Sequence, residues 1–110
     1  MAEKIGRVSL NLDYYEGKDL YSDGDVEEEL LDIVKNHTPD EFPGLIEEKA
    51  SWPVLYHLSE QRENIIDWFP MRKHASVLEV GAGCGAVTGA LTRKAERVVA
   101  NDLSKRRSMI

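Results

Sequence analysis

The sequence predicts an α/β fold in which a mostly helical head, residues 1–70, precedes the first strands of a parallel sheet, residues 71–110. Two observations predict this arrangement. Apolar residues recur at helical spacing through much of the head, and a strand, a glycine loop, a helix and a second strand follow one another after Pro70. The chain has 110 residues, of which 42% are hydrophobic and 31% charged, so it fits one soluble domain.

Composition excludes several classes of protein. The longest apolar runs span only a few residues, whereas a membrane helix needs roughly 20. The N-terminal residues lack the apolar centre of a signal peptide, so we expect a cytoplasmic protein. Cys84 is the only cysteine, and His37, His57 and His74 share no ligand spacing with it, so we expect neither a disulfide nor a metal site.

Charge is distributed unevenly along the chain. Residues 1–70 carry 6 Lys and Arg against 17 Asp and Glu, whereas residues 71–110 carry 8 against 3. An acidic head repels a phosphate backbone, which argues against nucleic acid as a partner of the whole chain, although the basic end could touch one. The simplest interpretation of the two halves is a pair of solvated charged faces.

The head begins with an alternating pattern and continues with a helical one. Apolar residues alternate with polar ones over residues 8–14, which predicts a strand or hairpin there. Asp23 or Asp25 is then expected to cap an acidic helix that ends between Asn36 and Pro39.

The remainder of the head is predicted from its prolines and from a second helical pattern. Residues 38–53 are rich in proline and predict an irregular connection with one helical turn near residues 45–50. A second helix is expected over residues 55–69, with Ser59 as a possible cap and Pro70 ending it.

After the head, the pattern predicts a βαβ unit. Residues 76–80 and 97–100 are short, β-rich apolar runs, and residues 86–95 between them have helical spacing. The right-handed crossover rule makes the two strands parallel neighbours. The glycine loop then lies at the carboxyl end of the first strand, where α/β folds bind ligands.

The loop sequence EVGAGCGA, residues 79–86, fits two kinds of ligand. Its glycines match the dinucleotide fingerprint, and Asp102 lies near the position of an acidic ribose ligand. Glu79, however, directly precedes the loop, and its carboxylate would repel a pyrophosphate by roughly 1–4 kcal/mol at contact distance. A ligand that carries ammonium and sulfonium charges would be attracted instead, which favours S-adenosylmethionine.

Residues 76–104 resemble the first two motifs of class I S-adenosylmethionine-dependent methyltransferases. Those enzymes carry an acidic residue, glycines in the pattern [DE]xGxGxG, a helix, and a second strand that ends in an acidic residue. Glu79, Gly81, Gly83, Gly85 and Asp102 supply this pattern here. The resemblance implies a Rossmann-like fold and S-adenosyl-L-methionine as the cofactor.

The resemblance also implies a role for each loop residue. Glu79 would neutralise the amino end of the methionine moiety, Asp102 would accept both ribose hydroxyls, and Leu103 would lie against the adenine. The glycine backbone would approach the cofactor closely because no Cβ intervenes. Cys84 is interpreted as a packing residue, not as a nucleophile. The implied cofactor-binding residues are Glu79, Gly81, Ala82, Gly83, Gly85, Asp102 and Leu103.

The acceptor of the methyl group is only indirectly indicated. The head run YYEGKDLYSDGD and the acidic helix after it look similar to the heads of bacterial methyltransferases linked to surface-polysaccharide glycosyltransferases. That likeness implies a glycan or small-molecule acceptor. Because the family's helical head packs over the cofactor pocket, Trp52, Tyr56, His57 and Arg62 are candidates for a lid or substrate wall. The alternative is that Trp52 and Tyr56 belong to the core and Arg62 to the surface.

The chain ends at Ile110, before most strands of a class I sheet. We therefore expect a truncated fold whose open sheet edges drive self-association and which alone has little activity, and no catalytic residue can be named. GAVTGALTRKAERVVAND is also similar to the corresponding stretch of rRNA adenine dimethyltransferases, which is one alternative. A non-catalytic cofactor-binding or interaction fragment is a second alternative, and a dinucleotide oxidoreductase is the last.

Overall fold

Two separate two-stranded sheets lie in the part of the chain described by a computed structural model, residues 2–19 and 24–110. Strands β1 (Ala2–Ile5) and β2 (Val8–Asn11) form an antiparallel hairpin. Strands β3 (Ser76–Val80) and β4 (Arg97–Asn101) pair in parallel. Six helices accompany them within the described ranges, so the chain is an α/β protein with small open sheets.

The hairpin differs from the predicted strand in its extent and in its partner. The strand expected over residues 8–14 ends at Asn11, whose side-chain oxygen accepts a hydrogen bond from the Asp13 N–H at 2.8 Å and so stabilises a turn. Its partner is the preceding strand β1, which the alternation did not reveal. The two strands are joined through Gly6, whose φ of 59° suits a tight turn.

Helix α1 (Asp25–Asn36) confirms the predicted acidic helix. Three acidic residues lie in its first turn, where they interact favourably with the positive end of the helix dipole. Its N-cap is Gly24, so Asp25 is the first helical residue and not the cap, and Asp23 lies outside the described residues. The buried face of α1 carries Leu30 and Ile33, together with one carboxylate, Glu27.

The second half of the head contains shorter helices than the sequence predicted. A turn of 3-10 helix leads into α2 (Phe42–Lys49), which replaces the expected single helical turn near residues 45–50. The helix predicted over residues 55–69 is broken into α3 (Trp52–Leu58) and α4 (Asn64–Asp67). The break occurs at Ser59, which has extended backbone and accepts a hydrogen bond from the Gln61 N–H at 3.3 Å, so it begins a new turn instead of extending α3.

The predicted βαβ unit is confirmed in order and in strand direction. Helix α5 (Thr88–Lys94) connects β3 to β4, and Leu78 lies beside Val99 in the parallel register. The face of β3 that carries Val77 and Glu79 is half-buried beneath α5, whereas the opposite face is open. Leu78 and Val80 on that open face are 65% and 75% exposed.

A short helix, α6 (Lys105–Ser108), follows β4. No helix of the described residues is long and apolar enough to cross a bilayer.

The small core of the described residues has two parts, one in the head and one on α5. The buried apolar residues within 2–19 and 24–110 are Leu10, Leu30, Ile33 and Val54 in the head and Ala90 and Leu91 on α5.

Candidate functional site

The glycine loop leaves the carboxyl end of β3, as the crossover rule predicted. Gly81, Gly83 and Gly85 have φ values of 70°, 60° and 81°, all in the left-handed region that other residues rarely adopt. The loop is tied to the neighbouring strand, because the Ala82 N–H donates to the Asn101 carbonyl at 2.9 Å. Each of the three glycines is therefore required by the backbone conformation of the loop itself.

Asp102 lies at the end of β4 and closes the loop from the other side. The Gly83 N–H donates to Asp102 Oδ2 at 2.9 Å, and the Ser104 N–H donates to Oδ1 at 2.9 Å. The structure thus brings together two residues that the sequence placed in one site. A carboxylate has about four acceptor positions, so each Asp102 oxygen keeps capacity for a further donor.

A cavity of about 260 Å³ opens beside this carboxylate. It includes three of the predicted residues, Gly81, Asp102 and Leu103, and it is smaller than the roughly 300–1,000 Å³ of typical ligand pockets. Leu103 is 68% exposed and offers an apolar surface at the rim. The full lining is Val80, Gly81, Asn101, Asp102, Leu103 and Arg107.

Glu79 occupies a different environment from Asp102. Its Oε2 accepts a hydrogen bond from the Thr88 hydroxyl at 2.6 Å, at the first residue of α5. It lines a second, apolar cavity of about 370 Å³ together with Ile65, Phe69 and Leu91. The two predicted acidic residues therefore flank the glycine loop but do not share a cavity.

Asp19 of the head caps helix α6, a contact that sequence reasoning missed. Its carboxylate accepts hydrogen bonds from the Lys105 N–H at 2.9 Å, the Ser104 hydroxyl at 3.0 Å and the Arg106 N–H at 3.3 Å. Desolvation raises the pKa of Asp19, but these donors, joined by the Tyr15 hydroxyl, together outweigh it and hold the pKa below its usual value.

Ion pairs reinforce this attachment of α6 to the head. The Arg107 Nε lies 2.7 Å from Glu27 Oε1, and the Glu27 side chain is 1% exposed. Two more exposed pairs join Arg106 to Glu28 at 3.4 Å and Lys105 to Glu3 at 3.6 Å. The interpretation of the acidic head and basic end as two solvated faces is therefore wrong at Arg107 and Glu27, whose pair is largely buried, whereas the other two pairs of α6 are exposed.

Arg107 also lines the cavity beside Asp102, and the sequence analysis did not predict this charged residue as part of the site. A local signal was present, because Ser104 before the run Lys105–Arg107 is a favourable N-cap, and its hydroxyl accepts from the Arg107 N–H at 3.1 Å. Glu27 also carried a signal, since it precedes Leu30 by three residues and so shares the apolar face of α1.

The aromatic candidates of the head form a surface cluster. Trp52 is 71% exposed, its ring lies 5.9 Å from the Tyr56 ring, and the Arg62 guanidinium lies 4.1 Å from the Tyr56 ring centre. The interpretation of Trp52 and Tyr56 as core residues is wrong. His57 packs edge-on against Tyr56 at 5.0 Å. Helix α3 itself packs on α1 and α2.

Comparison with known proteins assigns no family to the chain. No family model, curated protein or solved structure matches it. Within residues 2–19 and 24–110, no group of three or more His, Cys, Asp or Glu side chains is arranged to hold a metal ion. Cys84 is half-buried in the glycine loop.

Proposed function

We propose that this chain binds S-adenosyl-L-methionine, or its demethylated product, across the glycine loop, as part of a methyltransferase with a Rossmann-like fold. The observation that carries the proposal is the Asp102 carboxylate, which the Gly83 N–H fixes at 2.9 Å beside a cavity of about 260 Å³. Its two oxygens, each with an acceptor position to spare, suit the paired hydroxyls of a ribose.

The surroundings of Asp102 favour a nucleoside. Leu103 presents an exposed apolar side chain against which an adenine ring can pack. At Gly81 and Gly83 the space that a Cβ would occupy contains no atom within 4 Å, so a ligand can approach the backbone there. Arg107 also lines the cavity, but the nearby Glu27 carboxylate offsets its positive charge.

Glu79 distinguishes this ligand from a dinucleotide. A pyrophosphate would sit at the start of α5, but the Glu79 carboxylate already accepts from Thr88 there at 2.6 Å. At contact distance the two negative groups repel by roughly 1–4 kcal/mol in a partly screened site. The same carboxylate attracts the ammonium and sulfonium charges of S-adenosylmethionine.

The cofactor supplies a methyl group already activated by its sulfonium sulfur. The residues of this chain would bind and orient it: Asp102 would fix the ribose and Leu103 the adenine, while Glu79, on the other side of the glycine loop, would attract the cationic end. Alignment of the methyl group with an acceptor then provides much of the acceleration. The described residues supply no general base in this scheme.

A glycan or small molecule is the acceptor class that we propose. The exposed rings of Trp52 and Tyr56 offer a flat surface on which a ring-shaped acceptor could pack. An rRNA acceptor is less well supported, because the basic residues of α6 are paired with the head carboxylates Glu3, Glu27 and Glu28.

Calorimetry with S-adenosylhomocysteine and with NAD tests the cofactor. We expect S-adenosylhomocysteine to bind more tightly, and Asp102→Ala to weaken it at least tenfold. Asp40→Ala, which removes an exposed carboxylate of the head, is the matched control and should leave affinity unchanged. Tighter binding of NAD, or affinity unaffected by Asp102→Ala, would overturn the assignment.

We also propose that a second copy of the chain pairs with the free edge of β3. Among the described residues β3 pairs with β4 alone, and the open face carries the exposed Leu78 and Val80. The head hairpin forms its own sheet and does not cover this edge. In an antiparallel pair centred on Leu78, Glu79 would face Val77 of the other copy, so no like charges would meet.

Light scattering at micromolar concentration tests this pairing. We expect about twice the 12.4 kDa mass of one chain. Leu78→Lys should restore the monomer because two ammonium groups would then face each other across the pair. Val99→Lys makes the same change on β4 and should leave the dimer intact. A monomeric wild-type chain, or dissociation by Val99→Lys alone, would refute pairing through β3.

A further inference from the structure

Ser104 connects the head of the chain to the carboxylate at the glycine loop. Its side chain is fully buried. Its N–H donates to Asp102 Oδ1 at 2.9 Å, and its hydroxyl donates to Asp19 Oδ2 at 3.0 Å. Two carboxylates that lie far apart in sequence therefore meet at one buried serine, and the position of Ser104 affects both.

The position of Ser104 depends on Asp19. Helix α6, which Ser104 caps, has four residues, whereas isolated helices shorter than roughly 12–15 residues are marginal in water. Asp19 accepts from the first N–H groups of this helix, those of Lys105 and Arg106, at 2.9 and 3.3 Å. Hydrogen bonds to an ionised acceptor are about twice as strong as neutral ones, so Asp19 is the main local anchor of the start of α6.

A second anchor holds the other end of the same helix. Arg107 pairs with Glu27 at 2.7 Å. This contact lies three residues beyond Ser104. The orientation of the Ser104 N–H therefore depends mainly on the hydrogen bonds that Asp19 accepts at the start of α6. Among the described head carboxylates that contact α6, Asp19 is thus the one linked to Asp102 through a single residue.

From these contacts we propose that Asp19 is a positioning residue for the cofactor site. By fixing Ser104, it aims the Asp102 carboxylate at the ribose hydroxyls, although it touches no ligand itself. The inference rests on the proposed function, since it needs a ligand whose ribose meets Asp102. It goes further by making cofactor affinity depend on the docking of the head against α6.

Calorimetry with two ligands separates positioning from a general loss of structure. S-adenosylhomocysteine carries both ribose hydroxyls, and its 2′-deoxy analogue lacks one. Asp19→Asn, which keeps the shape but removes the charge, should weaken S-adenosylhomocysteine about tenfold and the analogue, which keeps one hydroxyl for Asp102, by a clearly smaller factor. An equal loss for both ligands would overturn the proposal. Glu28→Gln removes a carboxylate that pairs with Arg106 on the exposed side of α6 and is the matched control, with both affinities unchanged.

A double variant tests whether Asp19 acts through Asp102. In an Asp102→Asn background, Asp19→Asn should cost no further affinity, because the group it positions has already been changed. Additive losses would show that Asp19 acts by another route and would contradict the proposal.

Amide hydrogen exchange gives a readout that needs no ligand. Asp19→Asn should speed exchange at Gly83, whose N–H donates to Asp102, and should spare Gly85, whose N–H donates to the Ala82 carbonyl at 3.1 Å within the loop. If the wild-type chain binds no S-adenosylhomocysteine, the proposed function is wrong. The exchange rate at Gly83 still tests whether Asp19 positions the Asp102 carboxylate. Unchanged protection at Gly83 would refute that positioning.

A milder variant covers the case in which Asp19→Asn does not fold. Ser104→Ala removes the hydroxyl link but keeps the two amide bonds from α6 to Asp19. We expect the same preferential loss of S-adenosylhomocysteine over the 2′-deoxy analogue, by a smaller factor. Equal affinities of wild type and Ser104→Ala for both ligands would contradict the link.

Discussion

The Glu27 carboxylate on α1 accepts a hydrogen bond from the Arg107 Nε on α6 at 2.7 Å. Their side chains are 1% and 13% exposed, so this ion pair is largely removed from water. Removing one partner of such a pair leaves a buried charge uncompensated, whereas removing both costs much less. This pair is therefore a buried ionic contact between the basic helix and the acidic head, at the end of α6 opposite to Asp19.

Glu27→Ala should lower the free energy of unfolding by about 3 kcal/mol, because the Arg107 guanidinium loses a buried carboxylate partner. Urea denaturation measures the change. Glu28→Ala removes the neighbouring carboxylate, which is exposed, and should cost about 0–1 kcal/mol. The double variant Glu27→Leu and Arg107→Leu should recover part of the loss. Equal effects of Glu27→Ala and Glu28→Ala would contradict the difference in burial.

Acid should destabilise the chain partly through Asp19. The pKa of Asp19 is lower in the folded chain than its ordinary value of 3.8, so the ionised form stabilises the fold. This contribution is present above pH 3.8 and is lost as the pH falls from there through the lowered folded-state value. Urea denaturation at a series of acidic pH values should show a smaller loss of stability for Asp19→Asn than for the wild type. Parallel pH profiles would contradict the prediction.

Two glycine substitutions should have opposite effects. Gly83 has a φ of 60°, so Gly83→Ala strains the backbone by about 1–2 kcal/mol although its added Cβ meets no atom within 4 Å. Gly44 lies inside α2 with helical backbone and equally open space, so Gly44→Ala should stabilise by about 0.5–1 kcal/mol. Chemical denaturation of the two variants tests the signs. Stabilisation by Gly83→Ala would show that the loop relaxes to a different conformation.

Glu79→Gln should change ligand preference in a charge-dependent manner. It removes repulsion from a pyrophosphate and attraction for a sulfonium group. We expect affinity for NAD to rise and affinity for S-adenosylmethionine to fall more than that for S-adenosylhomocysteine, whose sulfur is neutral. Calorimetry measures all three, and Glu96→Gln, an exposed carboxylate paired with His74, is the control. A uniform loss for all three ligands would assign Glu79 a structural role alone.

The sequence predicted the βαβ unit well because its signals are local. Five consecutive β-rich residues, three glycines and a helical pattern lie within a short stretch, and the parallel pairing of β3 with β4 follows from crossover handedness. The Asp102 position beside the loop follows from the same topology. The topology does not predict that Glu79 and Asp102 line different cavities, because the position of each cavity depends on which face of β3 is covered by helix α5.

The head was harder to predict because its decisive contacts are long-range. At Ser59 the chain could either continue α3 or cap the next helical turn, and it does the latter. Helical periodicity in the sequence is the same for both outcomes, so it does not predict the break. Nothing near Asp19 indicates that its carboxylate caps α6, since that contact spans 85 residues. Neighbouring carboxylates in the run of residues 27–29 look alike in sequence, yet only Glu27 is buried.

The capping of α6 by Asp19 also has a kinetic consequence. The βαβ unit closes over short sequence separations, whereas the Asp19–Ser104 contact closes a loop of 85 residues. Contacts of high sequence separation form slowly because chain entropy must be lost before they are made. The glycine loop should therefore take shape early in refolding, while Asp102 acquires its orientation late. Refolding followed by pulsed hydrogen exchange at Gly85, whose N–H donates within the loop, and by ligand binding would then show two rates, with binding competence as the slower event.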